Sequence, residues 1–128
     1  MSQAASQYAA FWRDVKVSGK VWTVEDDGGF PAPQTRTGQR AMPFWSSLSR
    51  VKKIIKTVPA YAGFRPCEMT WPEMRDEWLP DLEESKMLVG VNWSGPRAVG
   101  YDIEPSDIRA AGAALVGPSF HPNQEATK

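Results

Sequence analysis

The chain is poor in the residues that carry most nucleophilic and metal chemistry, with one cysteine and one histidine in 128 residues. A lone Cys67 excludes an internal disulfide, and one thiol with one imidazole cannot assemble a Cys/His zinc site. Long apolar runs are missing as well, since no stretch approaches the roughly 18–20 residues that a membrane helix requires. Met1 to Ala10 has neither a basic start nor an apolar stretch, so no signal peptide is expected. The formal net charge is zero, which argues against a general nucleic-acid binder. These absences lead to the expectation of a cytoplasmic protein with no metal, no cofactor, no membrane association and no specific nucleic-acid partner.

What is present is an aromatic surplus. Six tryptophans, five phenylalanines and three tyrosines supply much of the apolar matter of an otherwise ordinary globular composition. The length suits one domain that can bury a core without staples. Charge is unevenly spread along it. Residues 1–66 carry ten Lys/Arg against four Asp/Glu (+6), and residues 67–128 carry five against eleven (−6). The plainer expectation is that the halves pack together and their charges intermingle; the sharper one is a dipolar surface that steers a charged partner.

Apolar spacing predicts a first helix over 5–17, through Tyr8, Phe11, Trp12 and Val15, with Gly19 as its stop. Val21-Trp22-Thr23-Val24 suits a strand, and Asp26 to Gly29 a turn. Pro31 and Pro33 make the stretch 30–35 a strand edge or an irregular return. A short strand is expected over 40–45, with Pro43 marking an edge or its end. Ser46 or Ser47 caps a helix over 47–57, and 63–69 reads as a strand. Thr70-Trp71-Pro72-Glu73 has the spacing of a capping box, and Met69 with Met74 that of a hydrophobic staple. Pro80 is expected to break or bend that helix after Trp78. Met87 to Trp93 alternates as a strand, with Met87, Val89, Val91 and Trp93 on one face. Val99, Tyr101 and Ile103 return it as a hairpin. Pro105 opens a last helix running to about Gly117, and 118–128 reads as a polar, disordered tail.

No constellation for catalysis emerges. His121 falls in the tail, where it lacks the fixed partner that a general base needs. Cys67 reads as an inert strand thiol, with Glu68 on the opposite face. Asp26-Asp27 and Glu83-Glu84 read as solvated charge. Trp12, Trp71 and Trp78, at helical spacing, read as core. Trp22, Trp45 and Trp93 lie near strand ends or turns. Cross-strand packing is the plainer account of them, and a partly exposed interface patch with Arg40 and Arg97 is the sharper one.

The run Arg40-Ala41-Met42-Pro43-Phe44-Trp45-Ser46 resembles the "lPFW" segment of a family of small bacterial proteins, domain of unknown function 2750. Tyr8 to Phe11, Val21-Trp22, the Asp-Asp-Gly turn, Glu77 to Leu82, Val89 to Val91 and Glu104-Pro105 match in order over about 8–108. The Pro31–Pro33 stretch and the chain after 108 do not match that pattern. The resemblance implies no established activity. Its general plan looks like that of small bacterial α+β modules, among them some immunity proteins.

The reading is one α+β domain over 1–117, with a mainly antiparallel sheet and about four helices packed on a face. The expected function is a non-enzymatic protein-binding module, in its most specific form a cytoplasmic immunity or antitoxin-like protein. Its binding surface would comprise Trp22, Arg40, Trp45, Trp93, Arg97 and Tyr101. The alternative is a small-ligand binder or enzyme with a pocket lined by Trp22, Trp45 and Tyr101 and made polar by Arg40 or Asp102. A homodimer paired through an edge strand is a third reading.

Overall fold

A computed structural model describes residues 3–116; His121 and the expected tail lie outside them. Helix α1 (Gln3–Ser18) ends where Gly19 takes a left-handed φ of 71° and its N–H bonds Val15 O at 2.7 Å. Strand β1 (Lys20–Glu25) follows, and Asp26 holds the next turn by accepting from Gly28 N at 2.8 Å. The proline-containing stretch after it forms no strand; it joins the sheet edge through a bridge between Gln34 and Arg40, with Ala41 N donating to Pro33 O at 3.0 Å. Strand β2 (Ala41–Phe44) leads to α2 (Leu48–Thr57), whose cap is Ser47, accepting from Arg50 N at 3.3 Å. A single 3-10 turn (Pro59–Tyr61) precedes β3 (Arg65–Thr70).

The capping box forms as the spacing requires. Thr70 Oγ1 accepts from Glu73 N at 3.1 Å, and Glu73 Oε1 accepts from Thr70 N at 2.8 Å. Pro80 does not break the helix that this box starts. The chain runs from α3 (Trp71–Glu73) through a π-turn (Met74–Trp78) into α4 (Leu79–Glu84) without leaving helical geometry. Proline lacks a donor and collides with the carbonyl four residues back. Widening one turn, with Leu79 N bonding Met74 O, absorbs that conflict instead.

Strand β4 (Leu88–Ser94) and β5 (Val99–Ile103) form the expected antiparallel hairpin, and α5 (Pro105–Val116) closes the fold. β1 pairs with β3 antiparallel, while β2 pairs with β4 parallel, after a long crossover. The two sheets, β1–β3 and β2–β4–β5, meet at an antiparallel bridge between Trp22 and Trp45, with N–O distances of 2.8 and 2.7 Å. Pro43 lies, as expected, on an outer strand, since β2 is the edge of its three-stranded sheet and meets β1 only at the Trp45 bridge just beyond its end. It has no N–H for the next rung toward β1, and the buried Thr23 hydroxyl donates to its carbonyl at 2.8 Å instead.

Helices cover both faces, not one. On one side α1, the 71–84 helix and α5 bury Phe11, Val21, Phe44, Met74, Val91 and Ile108 together. On the other, α2 and the 3-10 turn bury Trp22, Val24, Trp45, Val51, Tyr61 and Trp93. Each indole taken from water removes roughly 150–250 Å², or about 4–6 kcal/mol of transfer free energy. Tryptophan burial is thus a principal stabiliser of the second core.

Trp93 reaches that second core because β4 does not alternate to its end. Asn92 takes a left-handed φ of 48°, and the register shifts between Val91 and Ser94, adding one residue to β4. The bulge turns Trp93 away from Val89 and Val91 and lays its ring over Gly90, where an added Cβ would overlap the indole. Gly90→Ala is expected to lower stability by about 1–3 kcal/mol in urea denaturation. The penalty should shrink in a Trp93→Phe background; equal penalties in both would remove the ring from Gly90. Asn92→Ala should cost about 2–4 kcal/mol through strained φ and lost buried bonds. Asn92→Gly, measured alongside it, should recover only the backbone share.

Candidate functional site

The plainer account of the strand-end tryptophans holds. Trp45 is 0% exposed, and Trp22 and Trp93 are buried beside it. Two of the three indole N–H groups are spoken for: Trp45 Nε1 donates to Trp93 O at 2.8 Å, and Trp93 Nε1 donates to Asp102 Oδ1 at 2.9 Å. An exposed aromatic–basic patch is therefore not formed. Arg40 sits at the far end of β2 from Trp45 and donates from Nη1 to Ala32 O at 2.7 Å. Tyr101 packs against the first core and stacks on Tyr8 at 4.6 Å. Trp22, Trp45 and Tyr101 thus line no common pocket. Of the six expected residues, Trp93 and Arg97 do meet, at a cleft that Asp102 also lines.

That cleft has a volume of about 850 Å³ and lies between the start of α1, the 33–37 loop, the 3-10 turn and the β4–β5 turn. Tyr61, Trp93 and Val99 give it apolar walls, while Arg36, Arg97 and Asp102 give it charge. Partial burial pushes the Asp102 carboxyl above the usual range, and the bond from Trp93 only opposes this. Burial also raises the Tyr61 phenol, so that it stays neutral.

Gln7, which sequence reasoning missed, lines the same cleft and is only 6% exposed. It stands four residues before Phe11 and eight before Val15, a polar residue on the buried stripe of α1. That position was the available signal. Gln7 Nε2 and Gln3 Nε2 both lie against Ser94 Oγ, at 2.6 and 2.8 Å, and Gln7 Oε1 has no partner among the described residues. The side chain closes over Gly100, where a Cβ would strike the amide.

A smaller cavity of about 400 Å³ lies on the other side of the β4–β5 turn, between Arg50 and Lys53 of α2 and Trp93 to Pro96. It borders a basic surface on α2. Residues 28–67 contain no acidic residue and seven Lys/Arg. Arg50 is taken up by Asp14 at 3.3 Å and Arg65 faces Asp27 at 3.5 Å. Lys52, Lys53 and Lys56 are exposed on α2 and form no ion pair among the described residues. Seven of the eleven acidic residues of the second half lie on α3, the π-turn, α4 and α5, which pack against the opposite core. Only Lys20–Glu68, at 3.2 Å, joins the two halves by an ion pair among the described residues. The charges are segregated more than intermingled.

The other polar candidates hold structural places. Asp26 stabilises its turn, and Glu83 meets Arg109 at 3.3 Å. Burial, then the Glu25 carboxylate beside it, raises the Cys67 thiol above its ordinary value, which keeps it protonated and unreactive. Among the described residues no group of three His, Cys, Asp or Glu could hold a metal ion, and no helix is long and apolar enough to cross a membrane.

No curated protein matches the chain. The family model described as Protein of unknown function (DUF2750) matches residues 8–111, which includes the Pro31–Pro33 stretch that the resemblance had left unmatched. With most of its length inside that match, the chain belongs to the DUF2750 family.

Proposed function

We propose that the protein is a non-enzymatic, cytoplasmic binding module that docks an acidic partner protein on the face built by α2. The observation that carries this is the set of exposed lysines, Lys52, Lys53 and Lys56, which the fold leaves without carboxylate partners among the described residues. Such a patch adds little to stability. Its field accelerates and orients association with a surface of opposite sign, and salt screens it over about 8–10 Å. The adjoining cavity of about 400 Å³, with Arg50 and Lys53 at its rim, offers an anchor point for an acidic side chain. Neutralising a toxin, as an immunity or antitoxin-like protein does, is the most specific form of this reading. It rests on likeness of architecture.

A second reading is favoured by the cleft of about 850 Å³, whose size and mixed lining fit a small-ligand site or that of an enzyme. It stands on different residues from the first.

The exposed lysines can be reversed in charge without touching either core. Partner proteins captured from native lysate should be acidic and should elute with rising salt. Capture by K52E/K53E/K56E should fall at least about ten-fold, the size of effect that several lost charge contacts produce. Undiminished capture by the triple variant, with circular dichroism showing it folded, would place the partner elsewhere and sink the reading.

A further inference from the structure

We infer that the cleft between α1 and the β4–β5 turn binds a small zwitterion of amino-acid or short-peptide size, with its amine at Asp102 and its carboxylate at Arg36 and Arg97. The inference does not rest on the α2 face, because no residue of α2 lines this cleft. The volume, about 850 Å³, is within the roughly 300–1,000 Å³ typical of small-molecule sites.

The chemistry follows from what the fold leaves unpaired there. Asp102 spends one oxygen on the Trp93 indole N–H, at 2.9 Å, and its Oδ2 has no partner among the described residues. As an acceptor for an indole, a neutral amide would serve without the penalty of a half-desolvated charge. A carboxylate in that place lacks a cation, and no described basic side chain supplies one. Arg36 and Arg97 reach the same cleft from two different loops, and neither forms an ion pair among the described residues. A purely anionic ligand would be repelled by Asp102, and a purely cationic one by the arginines. A molecule with both charges meets both sets, and its apolar body fits between Tyr61 and Trp93.

The test uses the full chain, labelled with ¹⁵N, titrated with a panel of free L-amino acids and dipeptides. The Trp93 indole N–H is the reporter, because its acceptor is Asp102 itself. At least one zwitterion should shift that resonance. N-acetylation, or amidation of the carboxylate, should each weaken binding about ten-fold or more, the worth of one lost charge-assisted contact. Asp102→Asn keeps an acceptor on the indole and so should fold, yet lose binding; Arg97→Ala should weaken it. No shift with any member of the panel would overturn the inference. So would blocked derivatives that bind as well as their parents, or undiminished binding by folded Asp102→Asn. The K52E/K53E/K56E variant should retain ligand binding while losing partner capture, so failure of one proposal leaves the other standing.

Discussion

The left-handed turn at Asn92 is the constraint on which the rest of the molecule depends. Asparagine tolerates φ near 48° better than other non-glycine residues, because its short amide bonds locally and little else clashes. Here the amide bonds outward. Asn92 Oδ1 accepts from Ser46 N at 2.9 Å, and Nδ2 donates to Ser46 Oγ at 2.9 Å and to Gln7 O at 3.2 Å. Ser46 Oγ donates in turn to Asp14 Oδ2 at 2.8 Å, and Arg50 Nε completes the chain by donating to the same oxygen at 3.3 Å. One buried amide therefore ties α1, the start of α2 and β4 together. Glycine could supply the backbone angle but not these bonds, and any other residue would pay in strain as well.

The same turn decides which core receives Trp93, and through it the shape of the surface. Without the extra residue in β4, Trp93 would fall beside Val91 under α1, leaving Trp45 Nε1 without its acceptor and Asp102 without its donor. The turn after it would emerge elsewhere, and both concave regions are lined by that turn. The site geometry is thus a consequence of core packing, not an addition to it.

The sequence showed wherever a local rule decides the outcome. Gly19, the Thr70–Glu73 box, Ser47 and Pro105 each mark an element boundary through bonds made within a few residues. Where two distant segments decide, the reading ran out. Nothing near β2 reveals that it pairs parallel with β4, or that the buried Thr23 hydroxyl, twenty residues away, donates to the Pro43 carbonyl. Alternation likewise misassigned Trp93, since Asn92 bears no sequence mark that distinguishes a bulge from a strand residue. Pro80 was seen as a disturbance, but packing of Trp78, Leu79 and Leu82 on the first core holds the chain helical around it.

Aromatic abundance suggests a sticky surface, yet the fold spends its indoles inside. What it leaves outside is charge, and the charged residues sort themselves by whether the structure uses them. Arg40 holds a carbonyl of the 30–35 stretch, Arg50 closes the Asn92 network, and Arg109 meets Glu83. Lys52, Lys53 and Lys56 on α2, and Arg36, Arg97 and the second oxygen of Asp102 at the cleft, have no such employment among the described residues. A solvated lysine needs no partner, so the α2 set is informative only as a concentrated field of one sign. A carboxylate half withdrawn from water is different. It loses hydration that a single indole N–H only partly returns, and Asp102 is therefore the residue whose presence is hardest to explain by folding alone.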